Sequence, residues 1–207
     1  MLFIGICGAS GSGKSTLAEE LCRRIGSDRC YVIQQDAYYR DHPNLTFEER
    51  VGLNYDEPGI FDHDELLRDM QLLMSGQPIT KKEYNYTNHR RADRDDLLIE
   101  PRPVMILEGI HSFHDERLRK LMYLKLYMKV EPDICLLRRI QRDIKERGRD
   151  IDGIARQYLT TVKPMYDQYI RNYVQYADVI VAGGGRNPQI VDILAGYVRD
   201  ELSKEQA

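Results

Sequence analysis

Cysteine is sparse in this chain, with four residues among 207. Cys7, Cys22, Cys30 and Cys135 are scattered and form no C-x-x-C pair. That fits reduced thiols in a cytosolic protein better than a disulfide-built scaffold or a cysteine zinc site. Long apolar runs are missing too: none approaches the roughly 20 residues of a membrane helix. Nor is there a basic excess. The net charge of −3 and pI near 6.0 argue against a broad nucleic-acid-binding surface. The N-terminus lacks a basic flank and a long apolar core, so no cleaved signal is expected and the protein is placed in the cytoplasm. With no repeats, low-complexity tracts or long linkers, the expectation is one domain over residues 1–207.

What is present centres on Gly8-Ala9-Ser10-Gly11-Ser12-Gly13-Lys14-Ser15-Thr16, which matches the phosphate-loop pattern G-x-x-x-x-G-K-[ST]. Its context is right. The short apolar run Leu2 to Cys7 reads as a strand, and Leu17, Leu21 and Arg24 follow at helical spacing. Glycines let successive backbone N–H groups point inward, and the helix adds its positive end, so the loop cradles a polyphosphate. Lys14 reaches the outer phosphates, and the Ser15 hydroxyl is placed to ligate magnesium. The chain is therefore expected to bind a nucleoside triphosphate.

Further along, strands are expected at residues 31–35, 104–107, 124–130 and 177–181, alternating with helices. With the first strand they make a five-stranded parallel sheet flanked by helices and joined by right-handed crossovers. Thr46 to Glu49 reads as a capping box, and a firmer helix starts at Asp62, with Glu65 three residues on and a Phe61–Leu66 staple. Residues 79–100 break the rhythm: strands at 81–86 and 97–100, joined by a charged connection, read as an inserted β-hairpin. Helix is expected at 150–163 and 165–176, divided at Pro164. In the last helix Ile190, Ile193, Leu194, Tyr197 and Val198 fit one buried face.

Asp36 and Glu108 both close predicted strands near the loop. Phosphoryl transfer needs carboxylates there, one to orient and deprotonate an attacking hydroxyl and one to hold magnesium. The segment 138–149 is strongly basic. Ile134, Leu137, Ile140 and Ile144 share one helical face there, while Arg138, Arg139 and Arg142 point the other way. Beside a phosphate loop that pattern reads as an arginine-rich lid closing over the transferring group. His111 and His114 lack a third ligand at zinc-site spacing. Of the alternating Tyr84 and Tyr86, at most one ring is expected to reach a ligand.

Several landmarks recur together: Gln35-Asp36-Ala37-Tyr38-Tyr39, Asn54-Tyr55-Asp56-Glu57-Pro58, Tyr84 to His89, Leu107-Glu108-Gly109-Ile110, Arg138-Arg139 through Arg149, Gln157-Tyr158 and Val162-Lys163-Pro164. On these the chain resembles the uridine kinase (uridine–cytidine kinase) family, which phosphorylates the 5′-hydroxyl of pyrimidine nucleosides in salvage. The resemblance implies a P-loop kinase fold with a pyrimidine nucleoside as acceptor, ATP or GTP as donor, and UMP or CMP as product. It implies Asp36 as catalytic base and a nucleoside site of Tyr39, Asp56, Tyr84, His89, Arg149 and Gln157. Asp56 would bind the ribose hydroxyls and His89 would read the base. Arg139, Arg142 and Arg147 match lid or phosphate contacts, and Ser15 with Glu108 match the Mg2+ site. The hairpin at 79–100 becomes a nucleoside clamp. Homotetramers restrained by pyrimidine triphosphates are typical of the family.

Glu57, Glu83 and His111 depart from that pattern around the expected pocket and bear on substrate choice more than on the reaction. Two other readings share the scaffold. A phosphoribulokinase-like enzyme would need cations where this chain has Asp56 and Tyr84. A GTP-binding switch would need a guanine-reading N-K-x-D, and none occurs.

Overall fold

Every residue of the first strand, β1 (Leu2–Gly8), is buried, because parallel strands flank it and helices cover both faces. The computed structural model describes residues 1–204. After β1 come β2 (Cys30–Gln34), β3 (Ile79–Lys81), β4 (Tyr84–Asn85), β5 (Arg90–Arg91), β6 (Arg94–Ile99), β7 (Val104–Gly109), β8 (Leu124–Lys129) and β9 (Val179–Ala182). The helices are α1 (Lys14–Ile25), α2 (Phe47–Val51), α3 (His63–Met74), α4 (Glu116–Leu121), α5 (Pro132–Arg147), α6 (Ile151–Gln157), α7 (Lys163–Gln168) and α8 (Pro188–Lys204). The expected five-stranded parallel sheet is present, in the order β2-β7-β1-β8-β9.

Period-two alternation divides the core into two layers. Leu2, Ile4 and Ile6 of β1 face α1 and α8, packing with Leu17, Leu21, Val191, Leu194 and Val198. Phe3 and Cys7 face the other layer, with Leu66, Met70 and Leu73 of α3. Burying one such side chain completely contributes about 1.5–3 kcal/mol. Local signals hold where they were expected. Thr46 and Glu49 form both bonds of a capping box, and the Asp62 carboxylate accepts from the Glu65 N–H at 3.0 Å.

Several boundaries differ. β2 stops at Gln34, and Gln35–Tyr38 forms a 3-10 turn, because the Gln35 side chain turns inward to accept from the His111 N–H. The expected single hairpin is two short antiparallel ladders, β3–β6 and β4–β5, with a register shift between Thr80 and Lys81. Pro164 does not divide its helix. It sits in the first turn of α7, where its missing N–H is tolerated, directly after a π turn at Tyr158–Val162. The break falls at Tyr169, before a 3-10 stretch at Ile170–Tyr176. β9 begins at Val179, later than expected, because Asp178 is held by the Lys125 backbone through its own N–H and its carboxylate. α8 buries Val191, Leu194, Ala195, Val198 and Leu202 and exposes Ile193 and Tyr197. Contact with α1 selects that stripe, so two of the five expected core positions face outward. Among the described residues, no helix is long and apolar enough to cross a membrane.

Candidate active site

β1, β2 and β7 all deliver their C-terminal ends to one edge of the sheet, where open parallel sheets bind ligands. At the end of β1 the chain turns through Ala9–Gly13 into α1. Gly13 caps that helix in the left-handed region without a side-chain bond, and no acid lies in the first turn. The positive helix end is thus left for an anion. Gly11 has φ +83, and a Cβ there would lie 2.3 Å from the Cys135 carbonyl oxygen. Only glycine lets the loop approach α5 so closely. Gly185 makes a second close approach, since its Cβ would sit 2.4 Å from the Gly13 oxygen. The Gly183–Gly185 turn therefore packs on the loop.

Lys14 Nζ donates to the Ala9 carbonyl at 3.0 Å. Ser15 Oγ donates to Glu108 Oε1 at 2.8 Å, because β7 pairs with β1 in a register that sets Glu108 opposite Ile6. Burial raises the pKa of the Glu108 carboxyl; the Lys14 charge opposes that and Asp36 adds to it. The buried Ser12 hydroxyl has no hydrogen-bond partner among the described residues. An orphaned donor in the loop, beside a hydroxyl–carboxylate pair of hard oxygens, fits a phosphate carrying magnesium.

Next to the loop lies an open cleft. It brings together Asp36, Tyr39, Asp56, Tyr84, His89, Arg139, Arg142, Arg147, Arg149 and Gln157, together with Ser10 of the loop. Asp56 is buried; its N–H donates to Asn54 Oδ1, and its carboxylate accepts from Thr161 Oγ1 at 3.3 Å. Burial raises its pKa, against the pull of Arg139. Tyr39 stacks on Phe61 at 4.5 Å and donates to the Tyr55 carbonyl. His89 takes a positive φ of 53 in the turn after β4 and lies 4.9 Å from the Tyr55 ring. Burial lowers its pKa, followed by Arg149, Arg50 and Arg147. A neutral imidazole offers one donor and one acceptor to a ligand. A larger opening lies between β2 and the inserted ribbon, but its cations are engaged: Lys81 by Glu83, and Lys82 by Glu65 and Asp93.

The basic segment is organised differently from the expected lid face. Ile134, Leu137 and Ile144 of α5 are exposed, whereas Arg139 is only 5% exposed and Asp143 is fully buried. Paired charge, rather than hydropathy, chose the inward face. Asp143 lies within 4 Å of four arginines: Arg142 at 2.8 Å, Arg139 and Arg147 at 3.6 Å, and Arg149 at 3.8 Å. It holds like charges together that would otherwise repel. Arg139 in turn reaches Ser10 Oγ at 3.0 Å, Gln157 Oε1 at 2.9 Å and Asp56 Oδ1 at 3.9 Å. Gln157 also accepts from Arg149 at 2.5 Å.

Three groups are missed by the sequence reading: Tyr86, which lines the cleft, and Asp143 and Thr161, which hold residues that line it. Asp143 stood four residues after Arg139, an acid inside a run of bases, and that spacing was the available signal. Strand alternation allows at most one of Tyr84 and Tyr86 to reach a ligand. β4 ends at Asn85, so alternation no longer applies, and both Tyr84 and Tyr86 line the cleft. The Tyr86 hydroxyl donates to Asp36 Oδ2 at 2.9 Å, and the Arg147 guanidinium sits 4.1 Å above its ring. Of the three departures, Glu57 is exposed and Glu83 pairs with Lys81. Only His111 is tied to the cleft, through the Asp56 backbone.

A phosphate loop whose wall is shared with a carboxylate-bearing acceptor cleft is the arrangement of a phosphate-loop kinase acting on a second small molecule. The fold is that of phosphoribulokinase from Rhodobacter spheroides, which matches with a TM-score of 0.60 at 14% identity, covering 90% of this chain and 73% of that one. Residues 3–188 match the model of the Phosphoribulokinase / Uridine kinase family, and the chain belongs to that family. It is 43% identical over 202 residues to a uridine kinase of Geobacillus kaustophilus (strain HTA426), covering 98% of this chain and 95% of the relative. It is 45% identical over 201 residues to a uridine kinase of Vibrio atlanticus (strain LGP32), covering 95% and 94%.

Proposed function

We propose that the protein is a uridine kinase, transferring the γ-phosphoryl group of ATP or GTP to the 5′-hydroxyl of uridine or cytidine. The observation that carries this reading is Arg139, which touches the phosphate loop through Ser10 and faces Asp56 across the cleft. Donor and acceptor sites therefore meet at one guanidinium. The near full-length similarity to uridine kinases supports the acceptor class.

The loop N–H groups and Lys14 hold the donor phosphates. Asp56 accepts from the ribose hydroxyls, and His89 meets the base edge while Tyr39 and Tyr84 supply the aromatic walls. Asp36, steadied by Tyr86, orients the 5′-hydroxyl and takes its proton late in transfer. Arg139, Arg142 and Arg147 stabilise the charge that spreads over the moving phosphoryl oxygens. Ser15 and Glu108 would hold magnesium, which would neutralise charge on the donor phosphates.

A coupled assay over uridine, cytidine, adenosine, guanosine and ribulose 5-phosphate, with ATP and with GTP, tests the reading. Pyrimidine ribonucleosides should lead in kcat/KM by about tenfold or more. Turnover of the sugar phosphate alone would overturn it.

A further inference from the structure

We propose that His111 is a positioning residue for the acceptor site, holding the Asp56 loop through an Nε2–H tautomer that the Asp56 carbonyl requires and the Tyr173 hydroxyl supports. This rests on the uridine kinase reading, in which Asp56 grips the ribose. His111 follows the end of β7 and is 0% exposed. Its ring spans two partners: Nε2 lies 2.7 Å from the Asp56 carbonyl oxygen, and Nδ1 lies 2.9 Å from Tyr173 Oη.

The proton positions follow from the partners. A carbonyl oxygen only accepts, so Nε2 must carry the hydrogen. Nδ1 is then an acceptor, and Tyr173 spends its one proton there. The Tyr173 oxygen is left to accept, which it does from the His114 Nδ1–H at 2.9 Å. A one-way chain of three hydrogen bonds thus runs from His114 to the Asp56 backbone. Burial independently keeps His111 neutral, pushing its imidazole pKa down to about 3.

The same residue also reaches the other carboxylate segment. The His111 N–H donates to Gln35 Oε1 at 2.9 Å, and Gln35 is the immediate neighbour of Asp36. One residue therefore ties the turn that carries Asp36 to the loop that carries Asp56. The Asp36 turn is held through backbone N–H, which survives substitution, while the Asp56 loop is held through the side chain. Loss of the imidazole should therefore fall on acceptor binding and spare phosphoryl transfer.

The test uses His111→Leu, His111→Gln and Tyr173→Phe, with KM for uridine, KM for ATP and kcat measured on each, and folding checked by thermal melting. His111→Leu should raise the uridine KM about tenfold, the effect of one lost buried hydrogen bond, with kcat within about threefold. The KM for ATP should stay within about twofold. Gln places an amide N–H near the imidazole Nε2 position and should restore uridine KM to within about threefold of wild type. Tyr173→Phe keeps the ring and removes one oxygen; it should raise the uridine KM about threefold, and it carries the test alone if His111→Leu fails to fold. An active wild type whose His111→Leu and Tyr173→Phe variants keep the uridine KM within about twofold overturns the positioning role only. So does a parallel rise in both KM values, or a loss that Gln does not repair. A wild type that phosphorylates no nucleoside overturns the functional reading and this inference together.

Discussion

The phosphate loop draws its ligands from one consecutive stretch, residues 8–16, while the acceptor cleft is lined from places as distant as Asp36, Asp56, His89, Arg139 and Gln157. The first is largely backbone, set by glycine conformations and a helix end. The second is side chains that hold one another: Tyr86 on Asp36, Thr161 on Asp56, and four arginines around Asp143. A backbone site concentrates its chemistry in few side chains, so losing one is severe. A propped side-chain site spreads its work, and its failures should be graded and divided between kcat and KM.

Lys14→Ala is the largest break on the donor side. It should lower kcat by about 10³-fold or more with the fold intact, since in the proposed site it removes the charge nearest the donor phosphates. Steady-state kinetics with circular dichroism checks both halves of that expectation.

Next comes the pair of cleft carboxylates. Asp36→Asn should cost about 10²–10⁴ in kcat with little change in nucleoside Kd. Asp56→Asn should mainly raise the nucleoside KM, because the proposed role of Asp56 is to grip the ribose away from the reacting bond. If the two effects are exchanged, the carboxylates have been assigned the wrong way round.

Asp143→Asn sharpens the comparison further. Removing the shared counter-charge should splay the arginines and lower kcat by about 10–100-fold, although Asp143 touches no substrate. An unchanged kcat would mean that the quartet is held by other partners.

A smaller effect is expected in stability. His111 is neutral in the folded chain down to about pH 3, whereas an unfolded histidine gains its proton near about 6.5. Between those values the unfolded chain binds the extra proton, so this contribution is present above about pH 6.5 and lost on acidification. It amounts to about 2 kcal/mol between pH 6.5 and 5. The raised carboxyls of Asp56 and Glu108 act in the opposite direction, so the comparison is with His111→Leu, which lacks only the histidine part. Urea midpoints at both pH values should show wild type losing more than the variant.

Smallest of all is Leu137→Ser. With Leu137 57% exposed, the change should leave unfolding free energy within about 0.5 kcal/mol. A loss of several kcal/mol would restore the apolar side of α5 as its core face.

The donor half was legible because its signals are local. A nine-residue motif between an apolar strand and an amphipathic helix specifies backbone curvature, helix end and lysine reach without reference to the remaining chain. The parallel sheet was legible for the same reason, through short apolar runs ending in Asp36 and Glu108. The cleft residues were named through resemblance, and they do converge. Their supports were not visible. Nothing local could show that Tyr86 leaves β4 in time to reach Asp36, or that His111 finds a carbonyl 55 positions away.

By itself, then, the sequence determined the sheet, the loop and the kind of ligand the loop takes, because those follow from hydropathy period and contiguous backbone chemistry. Tertiary structure decided which side of α5 faces inward, how the 79–100 insert pairs and what holds each cleft carboxylate. Those outcomes depend on charges and hydrogen-bonding groups that meet only after folding. At Arg139 and Asp143, a buried network of opposite charges prevailed over the apolar stripe that periodicity alone would have buried.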